Sequence, residues 1–116
     1  MGSIRLVYDA EGDILDVDFR LTGKKPSRGT ELHENMIVWT DHEETQILRL
    51  MILSYSHLCA QPTLTLSALR KMSINRRAKL MELLTSEPVK RFLVLVDAKK
   101  LSFHVAEPGV REMAAA

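Results

Sequence analysis

A chain of 116 residues with 46% apolar and 27% charged side chains carries enough apolar surface for one core, which excludes disorder and argues for a single domain. Its one cysteine, Cys59, excludes an intrachain disulfide, and no stretch approaches the roughly 20 apolar residues of a membrane-spanning helix, so a cytoplasmic location with no membrane contact is expected. The net charge of +1 hides a split: residues 1–60 carry ten acids and six bases, whereas residues 61–116 carry ten bases and five acids. A chain divided in this way can attract its own halves, a second copy or an acidic partner.

In chain order, Ser3-Ile4-Arg5-Leu6-Val7-Tyr8 has strand composition and stops at the turn formers Asp9 to Asp13. Leu15, Val17, Phe19 and Leu21 then alternate with Asp16, Asp18 and Arg20, which is the period-two pattern of a half-buried strand. Together they predict a hairpin, with Gly12 supplying the positive φ of the turn. Thr22 to Thr30, with Gly23, Pro26 and Gly29, reads as an exposed crossing loop. A second hairpin is predicted from Met36-Ile37-Val38-Trp39-Thr40 and Gln46 to Leu53, the latter so apolar that it reads as a central strand covered on both faces.

From Thr65 to about residue 85 the apolar residues Leu66, Leu69, Met72, Leu80, Leu83 and Leu84 recur at helical spacing. Ser73-Ile74-Asn75 interrupts the run, which leaves one helix or two, the second capped by Ser73. Pro88 closes the helical region. Residues 91–105 predict a third hairpin, and Glu107 to Ala116 a frayed tail. The expected fold is therefore α+β: an antiparallel sheet built from hairpins, a helical region packed on one face and a C-terminal hairpin. Its expected core includes Tyr8, Leu15, Val17, Phe19, Ile37, Leu48, Leu50 and Ile52, with Trp39 also placed inside.

The residues that could carry chemistry are few. Asp9, Glu11, Asp13, Asp16 and Asp18 are dense, yet counting from Asp9 puts glycine at position four and Arg20 at position twelve, which fails the EF-hand loop; turn and strand roles account for them. His33, His42, His57 and His104 lack metal-ligand spacing, His42 and His104 read as exposed, and Cys59 reads as a buried, inert thiol. No nucleophile elbow, phosphate loop or dinucleotide fingerprint occurs, and no cofactor is expected. Arg70, Lys71, Arg76, Arg77 and Lys79 form a basic group that could meet nucleic acid or an acidic partner, although a solvated helix face is the more ordinary role and nucleic acid is the less expected partner.

The run Ile4-Arg5-Leu6-Val7-Tyr8-Asp9-Ala10-Glu11-Gly12-Asp13-Ile14-Leu15-Asp16-Val17, followed by Glu31, Met36 to Asp41 and Gln46 to Leu53, resembles a family of small prokaryotic domains of unknown function numbered twenty-two eighty-three. The resemblance covers roughly residues 3–58. It implies a four-stranded sheet followed by a helix and no activity; some relatives are regarded as antitoxin-like partners of ribonuclease-type toxins. The expected function is a non-enzymatic interaction or regulatory module. The alternatives are a small enzyme assembled from scattered groups such as Asp13, Glu31 and His57, and a weak nucleic-acid binder through the basic helix face. A homodimer is expected through the third hairpin, whose Phe92, Val94 and Val96 on one face and Leu93 and Leu95 on the other leave an apolar edge. A small protein partner remains open beside it.

Overall fold

A computed structural model describes residues 4–19 and 25–106. The first five strands are β1 (Arg5–Asp9), β2 (Ile14–Asp18), β3 (Arg28–His33), β4 (Met36–Thr40) and β5 (Ile47–Ile52), which form one antiparallel sheet in the order β1-β2-β5-β4-β3. The alternation read from Leu15 to Phe19 sets the register: Leu15 lies opposite Tyr8 and Ile52, and Val17 opposite Leu6 and Leu50. A one-residue slip would send all of these side chains to the wet face. They instead share one dry face with Met36 and Val38, where Leu15, Val17, Leu50, Ile52, Met36 and Val38 are fully buried and Leu6 and Tyr8, on the outer strand, are half-buried.

That dry face is covered by the second half of the chain. After α1 (Tyr55–Ala60) come β6 (Leu64–Thr65), a 3-10 turn at Ser67–Lys71, α2 (Ile74–Leu84), a 3-10 turn at Val89–Arg91, β7 (Leu93–Asp97) and β8 (Ser102–Val105). The last strands form a second antiparallel sheet in the order β6-β8-β7. Leu66, Leu69, Leu80, Leu84, Phe103 and Val105 join the buried residues of the first sheet in one core. Phe19 and Phe92 meet edge to face, 6.0 Å between ring centres, and tie the first half to the third hairpin. The α+β class and the helical packing on one sheet face agree with the sequence reading.

Several expectations are corrected. The sheet has five strands where four were implied, because β3 occupies residues 28–33, the first three of which read as loop. Gly29 hid the strand, yet β3 pairs with β4 along its length, with a shift in register between Glu31 and His33. β5 is central but has one dry face only: Arg49 and Met51 point to the other face, where Ile37 and Trp39 also sit half-buried. Tyr8 is half-buried as well. The positive φ of the first turn belongs to Asp13 (φ 55°) and not to Gly12; a short polar side chain tolerates this region. Gly12 is needed for another reason, since a Cβ there would stand 2.8 Å from the Asp9 carboxylate.

The helical region resolves into two pieces, with Ser73 as the cap of α2: its hydroxyl accepts from the Arg76 amide at 3.2 Å. Cys59 is partly buried, with Sγ 4.0 Å from the Ala106 carbonyl, so burial is less complete than expected. His104 is half-buried, its Nδ1 3.2 Å from the Gln61 carbonyl oxygen. Leu21, part of the crossing loop and the tail lie outside the described residues.

Candidate functional site

The basic group is placed around α2 and the turn before it, and four of its five cations are hydrogen-bonded to the chain itself. Arg76 grips Glu44 with Nε (3.1 and 3.2 Å) and Nη2 (3.1 Å) and donates to the Thr30 hydroxyl at 3.1 Å. Glu44 is 6% exposed at its side chain and adopts a left-handed backbone (φ 56°) in the β4–β5 turn; Arg28 stands 3.6 Å from it on the other side. Arg77 donates to the carbonyls of Leu69 and Arg70, both at 2.9 Å, which closes the 3-10 turn. Lys79 reaches the Glu43 carbonyl (2.8 Å), and Arg70 that of Lys100 (3.3 Å). The group thus fastens α2 and its turn to the β4–β5 turn and to the third hairpin.

Lys71, the fifth cation, lines an open cleft of about 660 Å³ between β3 and the 3-10 turn, together with Glu31, His33, Glu34, Ser73 and Arg76. Its free charges are Glu31 and Glu34 on the strand side and Lys71 on the helical side, because Arg76 is neutralised by Glu44. His33 Nδ1 accepts from the Asn35 amide at 3.1 Å, which fixes the ring. Two carboxylates against one ammonium give a net acidic cleft, the wrong sign for a phosphate backbone.

The scattered polar groups are not gathered into that cleft. Asp13 lies at the first turn and works as a cap for α1. Its main-chain carbonyl accepts from the Tyr55 amide (2.9 Å), and its carboxylate accepts from the Ser56 amide (3.0 Å), the Ser56 hydroxyl (2.7 Å) and the Tyr8 hydroxyl (2.7 Å). The Ser56 hydroxyl is the largest influence on the Asp13 carboxyl and, with the Tyr8 hydroxyl and the main-chain amides of Ser56 and His57, holds it below the usual 3.8 against the opposing effect of burial. His57 is exposed, with its imidazole 3.5 Å from the Gln61 amide. Glu31 lines the cleft with neither of them.

Two further surfaces lie elsewhere, the first unforeseen and the second the third-hairpin run expected from the sequence, of which Phe92 and Leu93 are buried. On the face of the large sheet left uncovered among the described residues, the Arg49 guanidinium lies over the Trp39 ring at 5.1 Å and pairs with Asp16, which raises the arginine's affinity for its proton. Gly29 leaves the room that the Trp39 ring occupies: a Cβ there would meet Nε1 at 3.0 Å. On the small sheet, β7 is an edge, and Val94, Leu95 and Val96 are 45%, 38% and 54% exposed.

Comparison with family models, curated proteins and solved structures finds no match. The residues that carry the argument are therefore those of the chain itself. Sequence reasoning found the apolar β7 run from composition. It placed Trp39 in the core because a strand's central tryptophan is usually inside, and the signal that could have moved it out was parity: Trp39 alternates with Val38 and Thr40, so it takes the wet face once Val38 takes the dry one. Among the described residues, no helix is long and apolar enough to cross a membrane.

Proposed function

We propose that the chain is a non-enzymatic interaction module of the cytoplasm that works as a homodimer. The observation that carries this reading is the edge strand β7, where three consecutive apolar side chains are exposed and no charge or proline interrupts them. Burying a Val or Leu fully is worth about 1.5–3 kcal/mol, so the exposed part of each of these is worth about 1 kcal/mol, and two copies contribute about 6. About four ladder hydrogen bonds add about 1 kcal/mol each. Against an association cost of at least about 4 kcal/mol, the dimer is expected to dissociate on the order of 10–100 μM. Light scattering of the full chain from 1 to 500 μM tests this: the mass should rise from 13.2 kDa toward twice that value, and a constant mass overturns it.

Asp13 meets His57 through its main-chain amide and serves as a helix cap, and Glu31 lines the cleft without either of them, which supports an interaction role over an enzymatic one. A small protein partner belongs to the same proposal, and the resemblance of residues 3–58 to the domain family named above makes it antitoxin-like. Purification of the tagged chain from its native cell, followed by mass spectrometry, tests that part: a stoichiometric small protein supports it, and the chain alone counts against it.

A further inference from the structure

We propose that the cleft between β3 and the 3-10 turn at Ser67–Lys71 binds a free dibasic α-amino acid, a molecule with two ammonium groups and one carboxylate. The proposal stands apart from the homodimer reading, since no residue of β7 lines this cleft.

The charges around the cleft divide into those the fold uses and those it leaves. Arg28 and Arg76 are held by Glu44, and Arg77 by main-chain carbonyls. Glu31, Glu34 and Lys71 line the cleft, and their side chains have no ion pair or hydrogen bond among the described residues. Opposite charges that line two sides of one cleft without closing an ion pair are satisfied together by a ligand that carries both signs. Two carboxylates against one ammonium leave the cleft one negative charge, and a dibasic amino acid brings one positive charge.

In this arrangement the ligand's carboxylate meets Lys71 and its two ammonium groups meet Glu31 and Glu34. Three residues separate the two glutamates along the chain, so their Cα atoms lie at most about 11 Å apart. The flexible four-carbon stem of lysine, together with the glutamate side chains, covers that span. Ala68 and Met72, half-buried in the same lining, give the stem an apolar bed. His33 adds a fixed donor: its Nδ1 accepts from the Asn35 amide at 3.1 Å, which places the ring's proton on Nε2. A phosphate ester would face two carboxylates, and a diamine would repel Lys71, so both match the cleft less well.

Titration of the isotope-labelled full chain with L-lysine, followed by amide NMR at about 10 mM ionic strength, tests the proposal. Signals of residues 30–34 and 67–73 should shift saturably, with half-saturation on the order of 1–10 mM. L-Norleucine, which lacks the side-chain ammonium, and cadaverine, which lacks the carboxylate, should each bind at least about threefold more weakly. Lys71→Ala should weaken lysine by about three- to fivefold and leave cadaverine no weaker, whereas Glu31→Gln and Glu34→Gln should weaken both. None of these substitutions removes a bond of the fold among the described residues, and unchanged far-UV circular dichroism checks that the variants fold. Shifts that stay linear to about 50 mM lysine, or that fall outside the cleft, overturn the site. Cadaverine binding as well as lysine overturns the role of Lys71, and norleucine binding as well as lysine overturns the dibasic class.

Discussion

Replacing Arg76 by Met takes away both guanidinium contacts that neutralise Glu44 and leaves a carboxylate 6% exposed with only Arg28, itself half-exposed, at 3.6 Å. Breaking a buried ion pair from one side costs about 3–5 kcal/mol. The remaining arginine and the 30% exposure of Arg76 lower this to about 2–3 kcal/mol. With a urea slope of about 2 kcal/mol per molar for a domain of this size, the midpoint should fall by roughly 1–1.5 M. Adding Glu44→Gln should recover most of the loss, since the uncompensated charge is then gone. Lys71→Ala, which breaks no bond among the described residues, should stay within about 0.5 kcal/mol of wild type. Urea melts followed by circular dichroism measure all four proteins. A fall of less than roughly 0.3 M for Arg76→Met would refute the reasoning, because Arg76 would then be a cation the fold does not need.

Three more outcomes follow from the contacts described. Asp13→Asn should lose about 1 kcal/mol at neutral pH. Because the folded Asp13 carboxyl sits below 3.8, its contribution is present above that value and disappears as the pH falls through the folded value. Thermal melts of the wild type should therefore drop more steeply below pH 4 than those of Asp13→Asn, and parallel curves would contradict the capping role. Gly29→Ala should shift the emission of Trp39, the sole tryptophan, since the new Cβ lies 3.0 Å from its ring nitrogen; an unchanged spectrum would mean that the ring does not rest there. Phe92→Ala should cost about 3–5 kcal/mol in chemical denaturation by leaving a cavity beside Phe19, and a loss under 1 kcal/mol would show that the hairpin is not packed through this ring.

The hairpins were legible because their signal is local: alternation from Leu15 to Phe19 fixes a face, and turn formers fix its ends. The cap at Ser73 was legible for the same reason. What escaped depends on pairing partners and not on a segment's own pattern. β3 was hidden because Arg28-Gly29-Thr30 has little strand propensity and is held by pairing with β4. The cap of α1 was hidden because Ser54 takes a left-handed conformation and makes no side-chain cap, so the anion comes from Asp13, more than 40 residues earlier. The tethering role of Arg76 depends on Glu44, 32 residues away. The cleft arises where β3 meets the 3-10 turn, which no local pattern announces.

The division of the strands between two sheets also sets the order of events during synthesis. Every strand of the large sheet lies within residues 5–52, whereas the elements that roof its dry face end at Val105. As the chain leaves the ribosome from its N-terminus, the sheet can pair completely while Leu15, Val17, Val38 and Leu50 still face water. For the time needed to translate about fifty further residues, several seconds at typical rates, the nascent chain carries an uncovered apolar slab. Chaperone demand and misassembly should concentrate in that interval, and a stall placed after Ile52 should trap the most adhesive form of the protein.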